Sequence, residues 1–259
     1  MQRLLRKTLR GLLNYDPSFC DMYEDAHASQ AAQEYLGHIR RYLRDSFGDR
    51  KLAILDAGCQ AGRLLIPLAE AGHRLIGIDT SAFALRRTAR HVKEKHLSVT
   101  LHAGNLANVR RWVKPASLDA VICAEVLYLC DDYRDLLKLL AESVKSGGLI
   151  LASHRPAVFY AAKAVQQGRV GLADTIAQTQ EGPSSDGAYH NWQTEDQLKA
   201  LYGSAGLQML GCHPVDQVDV RVELDCVHAP NVRRLVEPLA HQGPVYRVPQ
   251  YYLVAARKS

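Results

Sequence analysis

A chain of 259 residues that is 47% hydrophobic holds enough apolar material for one α/β domain with appendages and is too short for two full domains. Lys and Arg outnumber Asp and Glu by 32 to 27 and are spread along the chain, so the net charge of +5 does not itself favour a nucleic-acid partner. There is no run of 18 apolar residues and no leader with a small-residue cleavage site, and the six cysteines form no Cys-x-x-Cys pair and no cluster with histidine. The expectation is a cytoplasmic protein with reduced thiols and without a metal.

The first fourteen residues, MQRLLRKTLRGLLN, carry leucines at 4, 5, 9, 12 and 13, four basic residues and no acid. As a helix this segment is basic and amphipathic, suited to a membrane surface, to RNA, to a mitochondrial presequence, or to packing on its own domain or a dimer partner. Ala31, Tyr35, Leu36, Ile39 and Leu43 then recur at helical spacing, which gives residues 1–50 the character of a helical cap. Leu52 to Leu55 is a fully apolar run ending at Asp56, the signature of a strand buried on both faces. Gly58 and Gly62 punctuate a turn, Leu64, Leu65, Leu68 and Ala69 mark a helix closed by Ala71-Gly72, and Leu75 to Ile78 makes a second strand ending at Asp79. This is a βαβ unit with an acid at the end of each strand, the layout of an adenosine-binding site. The turn lets backbone approach a ligand at the positive end of a helix, and the second acid accepts from ribose hydroxyls. The spacing Gly58-x-x-x-Gly62 is not the dinucleotide fingerprint, and Arg63-Leu64 replaces the Lys-Ser/Thr of a nucleoside-triphosphate loop.

Asp56-Ala-Gly58-Cys-Gln60-Ala-Gly62 instead resembles motif I of class I S-adenosylmethionine (SAM)-dependent methyltransferases, Asp/Glu-x-Gly-x-Gly-x-Gly, with Gln60 at the middle glycine. Later segments agree in order. Val99 to Leu101 reads as a third strand leading to Gly104-Asn105-Leu106, where the family has Gly-Asp-Ala and sets the acid on the adenine amino group; the amide oxygen of Asn105 can accept that same bond. Ser117 to Cys130 resembles the family's Phe-Asp-x-Val strand through Leu118-Asp119, with Ala124 and Glu125 at its end. Leu136 to Val144 is an amphipathic helix stopped by Ser146-Gly147-Gly148, and Leu149 to Ser153 is a fifth strand. Thr194-Glu-Asp-Gln197 is a capping box before Leu198, Leu201 and Tyr202, the helix stopping near Gly203 and Gly206, and Tyr251 to Ala256 closes the series as the last strand.

The resemblance implies one α/β domain over residues 1–259: a doubly wound, seven-stranded, mostly parallel Rossmann-like methyltransferase sheet, with the helical cap at 1–50, a SAM-binding half at 51–153 and an acceptor-side half at 154–259 that carries a late substrate-lid excursion. It implies SAM as cofactor and S-adenosylhomocysteine (SAH) as product, held by Asp56, Gly58, Gln60, Gly62, Asp79, Thr80, Asn105, Leu106 and Ala124. Ligands of open α/β sheets sit beyond the carboxyl ends of the strands, where the excursions rise. Transfer to a hydroxyl needs a base. His154 directly follows the fifth strand and is expected to face the cleft; His190, in Tyr189-His-Asn-Trp192, and Glu125 are the further candidates. Tyr189 and Trp192 either stack on an aromatic acceptor or sulfonium, or Trp192 packs on the helix that follows. The function so implied is methyl transfer to an oxygen or nitrogen of a small molecule. A tRNA or protein methyltransferase would require a basic surface from the N-terminal helix, Arg110, Arg111, Arg233 and Arg234. A non-catalytic SAM-binding regulatory subunit would be consistent with the departures at Gln60 and Asn105.

Overall fold

Alternation of apolar side chains along each strand decides how this chain layers. In the computed structural model, which describes residues 23, 26–184, 187–222, 229–237 and 245–259, the strands are β1 (Ala53–Ala57), β2 (Arg74–Asp79), β3 (Val99–Ala103), β4 (Leu118–Cys123), β5 (Val144–His154), β6 (Glu181–Pro183), β7 (Tyr189–Asn191), β8 (Leu207–Arg221) and β9 (Val245–Lys258). The helices are α1 (Ala26–Phe47), α2 (Leu65–Glu70), α3 (Ala82–Glu94), α4 (Tyr133–Ser143), α5 (Ala157–Gln166), α6 (Val170–Gln178), α7 (Glu195–Ser204) and α8 (Pro230–Val236). Seven strands form one sheet in the order β3-β2-β1-β4-β5-β9-β8, parallel except for β9, which runs antiparallel to both of its neighbours. β6 and β7 make a separate hairpin.

Ile54, Ala120, Ile122, Leu149, Leu151, Leu253 and Ala255 face one cluster, with Tyr35, Leu36, Ile39 and Leu43 of α1, Leu65 and Leu68 of α2 and Leu85 of α3. Leu55, Val121, Cys123, Ile150, Ala152, Val254 and Ala256 face the other, with Leu136, Leu137 and Leu140 of α4 and Leu198 and Tyr202 of α7. The sheet is thus doubly wound, as the sequence implies. The apolar stripe read for residues 31–43 is buried to the last residue. α1 is therefore a layer helix on the sheet, tied to its far edge where Glu34 accepts from the Asp216 backbone N–H (2.9 Å). The basic segment 1–14 lies outside the described residues.

Two details refine the sequence reading. β5 starts at Val144, five residues earlier than its apolar run, because Val144 pairs with Leu118 and residues 145–148 bulge out before Leu149 pairs with Ala120. Lys145 on that bulge reaches Asp119 Oδ1 (2.7 Å) while Asp119 Oδ2 accepts from the Ala53 N–H (2.8 Å), so the family's strand aspartate ties β1, β4 and β5 at the end of the sheet away from the site. The capping box of α7 forms as read: Gln197 N–H donates to Thr194 Oγ1 (3.3 Å) and Thr194 N–H to Gln197 Oε1 (2.8 Å).

The excursion after β5 has its own core. β8 and β9 stay paired beyond the last β5 partner, from Gln217–Pro249 to Arg221–Val245. On this projecting ribbon Val220, Tyr246 and Val248 meet Phe159 and Ala161 of α5, Ala173 and Ile176 of α6, Trp192, and Val232 and Val236 of α8.

Candidate functional site

The carboxyl ends of β1, β2 and β4 converge on a cleft of about 450 Å³. The turn after β1 is held by two N–H donors, Gly58 (2.7 Å) and Cys59 (3.2 Å), on the Ile78 carbonyl, and by the Gly62 N–H on the Cys59 carbonyl (2.8 Å). Gly58 (φ 88°) and Gly62 (φ 93°) take left-handed backbone, and so does Gln60 (φ 43°). Gln60 thus adopts the conformation that the middle glycine of the motif supplies, at a strain of order 1–2 kcal/mol. Its N–H is fixed by Asp79 Oδ2 (2.9 Å) and its carbonyl accepts from the Thr88 hydroxyl. A Cβ at Gly58 would lie 2.2 Å from Val126 Cγ2, which keeps that position free of any side chain.

Eight of the nine residues assigned to the cofactor line this cleft: Asp56, Gly58, Gln60, Asp79, Thr80, Asn105, Leu106 and Ala124. Gly62 does not; its missing side chain makes room for Ile66 and Thr88 behind the turn. Burial pushes the Asp56 carboxyl up to about 7, against the opposing pull of the Arg63 guanidinium. Asp79 Oδ1 accepts from the Ser81 N–H (2.8 Å), so the carboxylate is clamped between the two turns with lone pairs left for the cleft. Asn105 Oδ1 accepts from the Ala107 N–H (2.8 Å) and caps a short 3-10 helix, Leu106–Arg111.

The three candidate catalytic residues fare differently. His154 does not face the cleft. It shares the even parity of Ile150 and Ala152, which turns it to the α7 face, where it is fully buried and its Nε2 lies 3.0 Å from the Tyr202 hydroxyl. Burial lowers its pKa to about 4. Glu125 does line the cleft, and both of its oxygens are engaged, one ion-paired with Arg63 and the other accepting from the Tyr251 hydroxyl (2.9 Å), which ties it into the cleft wall. His190, on β7, has its ring 5.9 Å from that of Tyr128, itself a cleft residue, and 5.5 Å from that of Tyr160. Trp192 is buried in the excursion and donates to the carbonyls of Ile176 (3.0 Å) and Thr179 (2.9 Å), pinning α6 rather than walling an acceptor or packing on α7.

Because His154 is neutral and enclosed, His154→Ala is expected to destabilise the fold and to leave SAH affinity unchanged. A folded pKa of about 4 against the ordinary 6.5 means that the unfolded chain binds the extra proton, so this stability is present above pH 6.5 and drains away as the pH falls towards 4. Urea unfolding at pH 7.5 and pH 5 checks it: the variant should lose less of its stability on acidification than the wild type.

Sequence reasoning missed a buried polar chain beside the cleft. Arg63, with a side chain 8% exposed, pairs with Glu125, stacks over Tyr35 (5.8 Å to the ring centroid) and keeps one buried Nη1 without a hydrogen-bond partner. Glu125, held at φ 60°, has its N–H on Ser153 Oγ (2.6 Å). Tyr251 continues the chain to Arg155, whose Nη2 donates to its hydroxyl (3.0 Å). The signal was there in part: a charged residue directly after a glycine turn, and another directly after an apolar strand.

Known proteins resemble this chain in sequence over part of its length and in fold. Residues 54–148 match the model of the methyltransferase domain family. The chain is 30% identical over 118 residues to a ubiquinone biosynthesis O-methyltransferase from Idiomarina loihiensis, covering 46% of this chain and 47% of the relative, and 33% identical over 113 residues to the one from Methylocella silvestris, covering 42% and 43%. It thus spans less than half the length of the curated relatives it matches. In fold it is similar to the magnesium protoporphyrin IX methyltransferase of Synechocystis PCC 6803 solved with bound SAH (TM-score 0.61, 16% identity, 100% of both chains) and to a SAM-dependent methyltransferase from Mesorhizobium loti (TM-score 0.56, 18% identity, 84% of this chain and 96% of that one). Residues 54–148 thus match a methyltransferase domain, and the chain as a whole is likened to these solved proteins in fold. Among the described residues no helix is long and apolar enough to cross a membrane.

Proposed function

We propose that this protein moves the methyl group of SAM to an oxygen or nitrogen atom of a small-molecule acceptor. The observation that carries the reading is the cleft itself, at the carboxyl ends of β1, β2 and β4, lined by eight of the nine residues that the motif comparison assigns to the cofactor. The site also suits the group's charges: the unpartnered buried Nη1 of Arg63 matches a carboxylate, Asp79 matches a ribose diol, and Asp56 matches a cation. SAM, when bound, supplies an electrophilic methyl for in-line displacement. The chain's own residues then hold, orient and exclude water, which is most of the help such a displacement needs. His190 is the candidate base that remains beside a cleft residue. Gln60 takes the left-handed backbone of the middle glycine and Asn105 caps the helix that follows, so both departures keep the turns intact, and that favours an enzyme over a non-catalytic subunit. Arg110 is already paired with Glu142, which weakens the basic surface a tRNA or protein acceptor would need. Four unbridged cysteines, Cys59, Cys123, Cys130 and Cys212, agree with a cytoplasmic setting.

Calorimetry with SAH, followed by incubation with methyl-labelled SAM and a small-molecule extract, tests the proposal. SAH binding with label recovered in a low-molecular-weight compound supports it; absence of SAH binding, or label recovered in RNA or protein alone, overturns it. In the same series Asn105→Asp is expected to keep or slightly tighten SAH affinity. Aspartate preserves the cap on the Ala107 N–H and offers the adenine amino group a charged acceptor. A loss greater than about tenfold would mean that Asn105 donates to the ligand instead.

A further inference from the structure

At the amino end of the sheet, a strand's length of about 16 Å from the cofactor cleft, a second cavity of about 320 Å³ opens between the end of α1 and the entries to β1 and β2. Arg40, Arg44, Arg50, Lys51 and His73 line it, and Asp49 is its single acid. Part of this charge has an internal explanation. Lys51 Nζ donates to the Ala71 carbonyl at the end of α2 (2.8 Å) and stands 2.9 Å from where a Cβ of Gly72 would lie, so the glycine makes its room. Arg44 sits in the last turn of α1, where the carbonyl end of a helix favours a cation. Arg50 reaches only Asp119, at 3.8 Å, an acid that Lys145 already holds at 2.7 Å. Arg40 has no such reason. It lies one turn back from Arg44 on the same face, where like charges repel, and no ion pair among the described residues engages either of them.

His73 adds a neutral donor. The Leu52 N–H donates to its Nδ1 (3.3 Å), and burial together with the Lys51 ammonium lowers its pKa, so the ring keeps its proton on Nε2. The cavity therefore gathers guanidinium forks, an ammonium that has given one of its three donors to Ala71, and an imidazole N–H. We propose that this cavity is a second ligand site, which takes the diphosphate group of a small soluble molecule. Guanidinium matches phosphate oxygens two at a time, and four cations against one acid suit a group that carries several charges at one place. A nucleic-acid strand offers a single charge per phosphate and is held by a row of contacts along its backbone. A pocket of this size instead encloses one compact group.

Calorimetric titration of the full chain with pyrophosphate and with sulfate, at about 0.15 M salt, with and without SAH, tests the proposal. Expected is binding of pyrophosphate at least about tenfold tighter than that of sulfate, falling at least about tenfold in Arg40→Gln/Arg44→Gln, and unchanged by SAH because the two sites lie at opposite ends of the sheet. No binding of pyrophosphate, equal affinity for the two anions, an affinity that survives in the double variant, or competition between pyrophosphate and SAH overturns it. A single-stranded RNA oligomer that displaces pyrophosphate and binds more tightly also overturns it, since the cations would then be a polymer surface. Both arginines are exposed, so the double variant is expected to fold. Should it fail to, Arg40→Gln alone must still weaken pyrophosphate several-fold, and an unchanged affinity there counts against the site.

Discussion

Glu125→Ala is expected to lower the unfolding free energy by about 3–5 kcal/mol, the cost of leaving the partner charge of a buried ion pair alone. Arg63 and Glu125 have side chains only 8% and 12% exposed, and the guanidinium that would remain has a ring, Tyr35, on one face and a second donor already unsatisfied. Tyr251 would lose its acceptor as well. The double variant Arg63→Met/Glu125→Ala should recover part of the loss, because neither charge is then buried alone. Urea unfolding of the single variants and the double variant closes the cycle. A cost below about 1 kcal/mol for Glu125→Ala, the level of an exposed pair, would mean that water reaches Arg63 and that the pair is not structural. The same cycle read by SAH affinity has another outcome: Arg63→Met alone should weaken SAH, since the carboxylate it is proposed to meet loses its partner.

How much of this was legible beforehand follows from where the information sits in a sequence. The βαβ unit was fully legible, because a run such as Leu52–Leu55 ending at Asp56 and a glycine pair after it encode strand, turn and helix within a few residues. So was the capping box at Thr194 and Gln197, a local hydrogen-bond exchange. Asp56, Gly58, Gln60, Asp79 and Thr80 followed from that local unit, and Asn105, Leu106 and Ala124 from the resemblance of later segments to the family. His154 was misplaced by reading the strand's end without its parity: Ser153 and His154 are neighbours in sequence, yet Ser153 holds the Glu125 N–H on one face and His154 meets Tyr202 on the other. Trp192 was ambiguous for a different reason, since its partners Ile176 and Thr179 lie in and just after a helix whose packing depends on the distant β8–β9 ribbon. The chain Arg63–Glu125–Tyr251–Arg155 joins four segments, and no spacing rule links residues 63 and 251.

Asp79→Ala is the substitution expected to cost the cofactor site most, because Asp79 serves the site twice. Its oxygens hold the Gln60 N–H (2.9 Å) and the Ser81 N–H (2.8 Å), fixing the left-handed Gln60 and the start of α3. Its remaining lone pairs face the cleft, where a ribose diol would donate to them. Removing a carboxylate from such a diol leaves polar groups unpaired at about 2 kcal/mol, which is roughly a 30-fold loss of SAH affinity. The two contributions separate experimentally. Asp79→Asn keeps one acceptor oxygen for the turn, so its stability in urea should stay closer to wild type than that of Asp79→Ala, while its affinity for SAH should still fall because the charge on the diol's acceptor is gone. Calorimetry with SAH on both variants, beside their unfolding curves, distinguishes a lost contact from a distorted turn. If Asp79→Ala binds SAH as the wild type does, Asp79 is a turn residue only and the ribose has another partner.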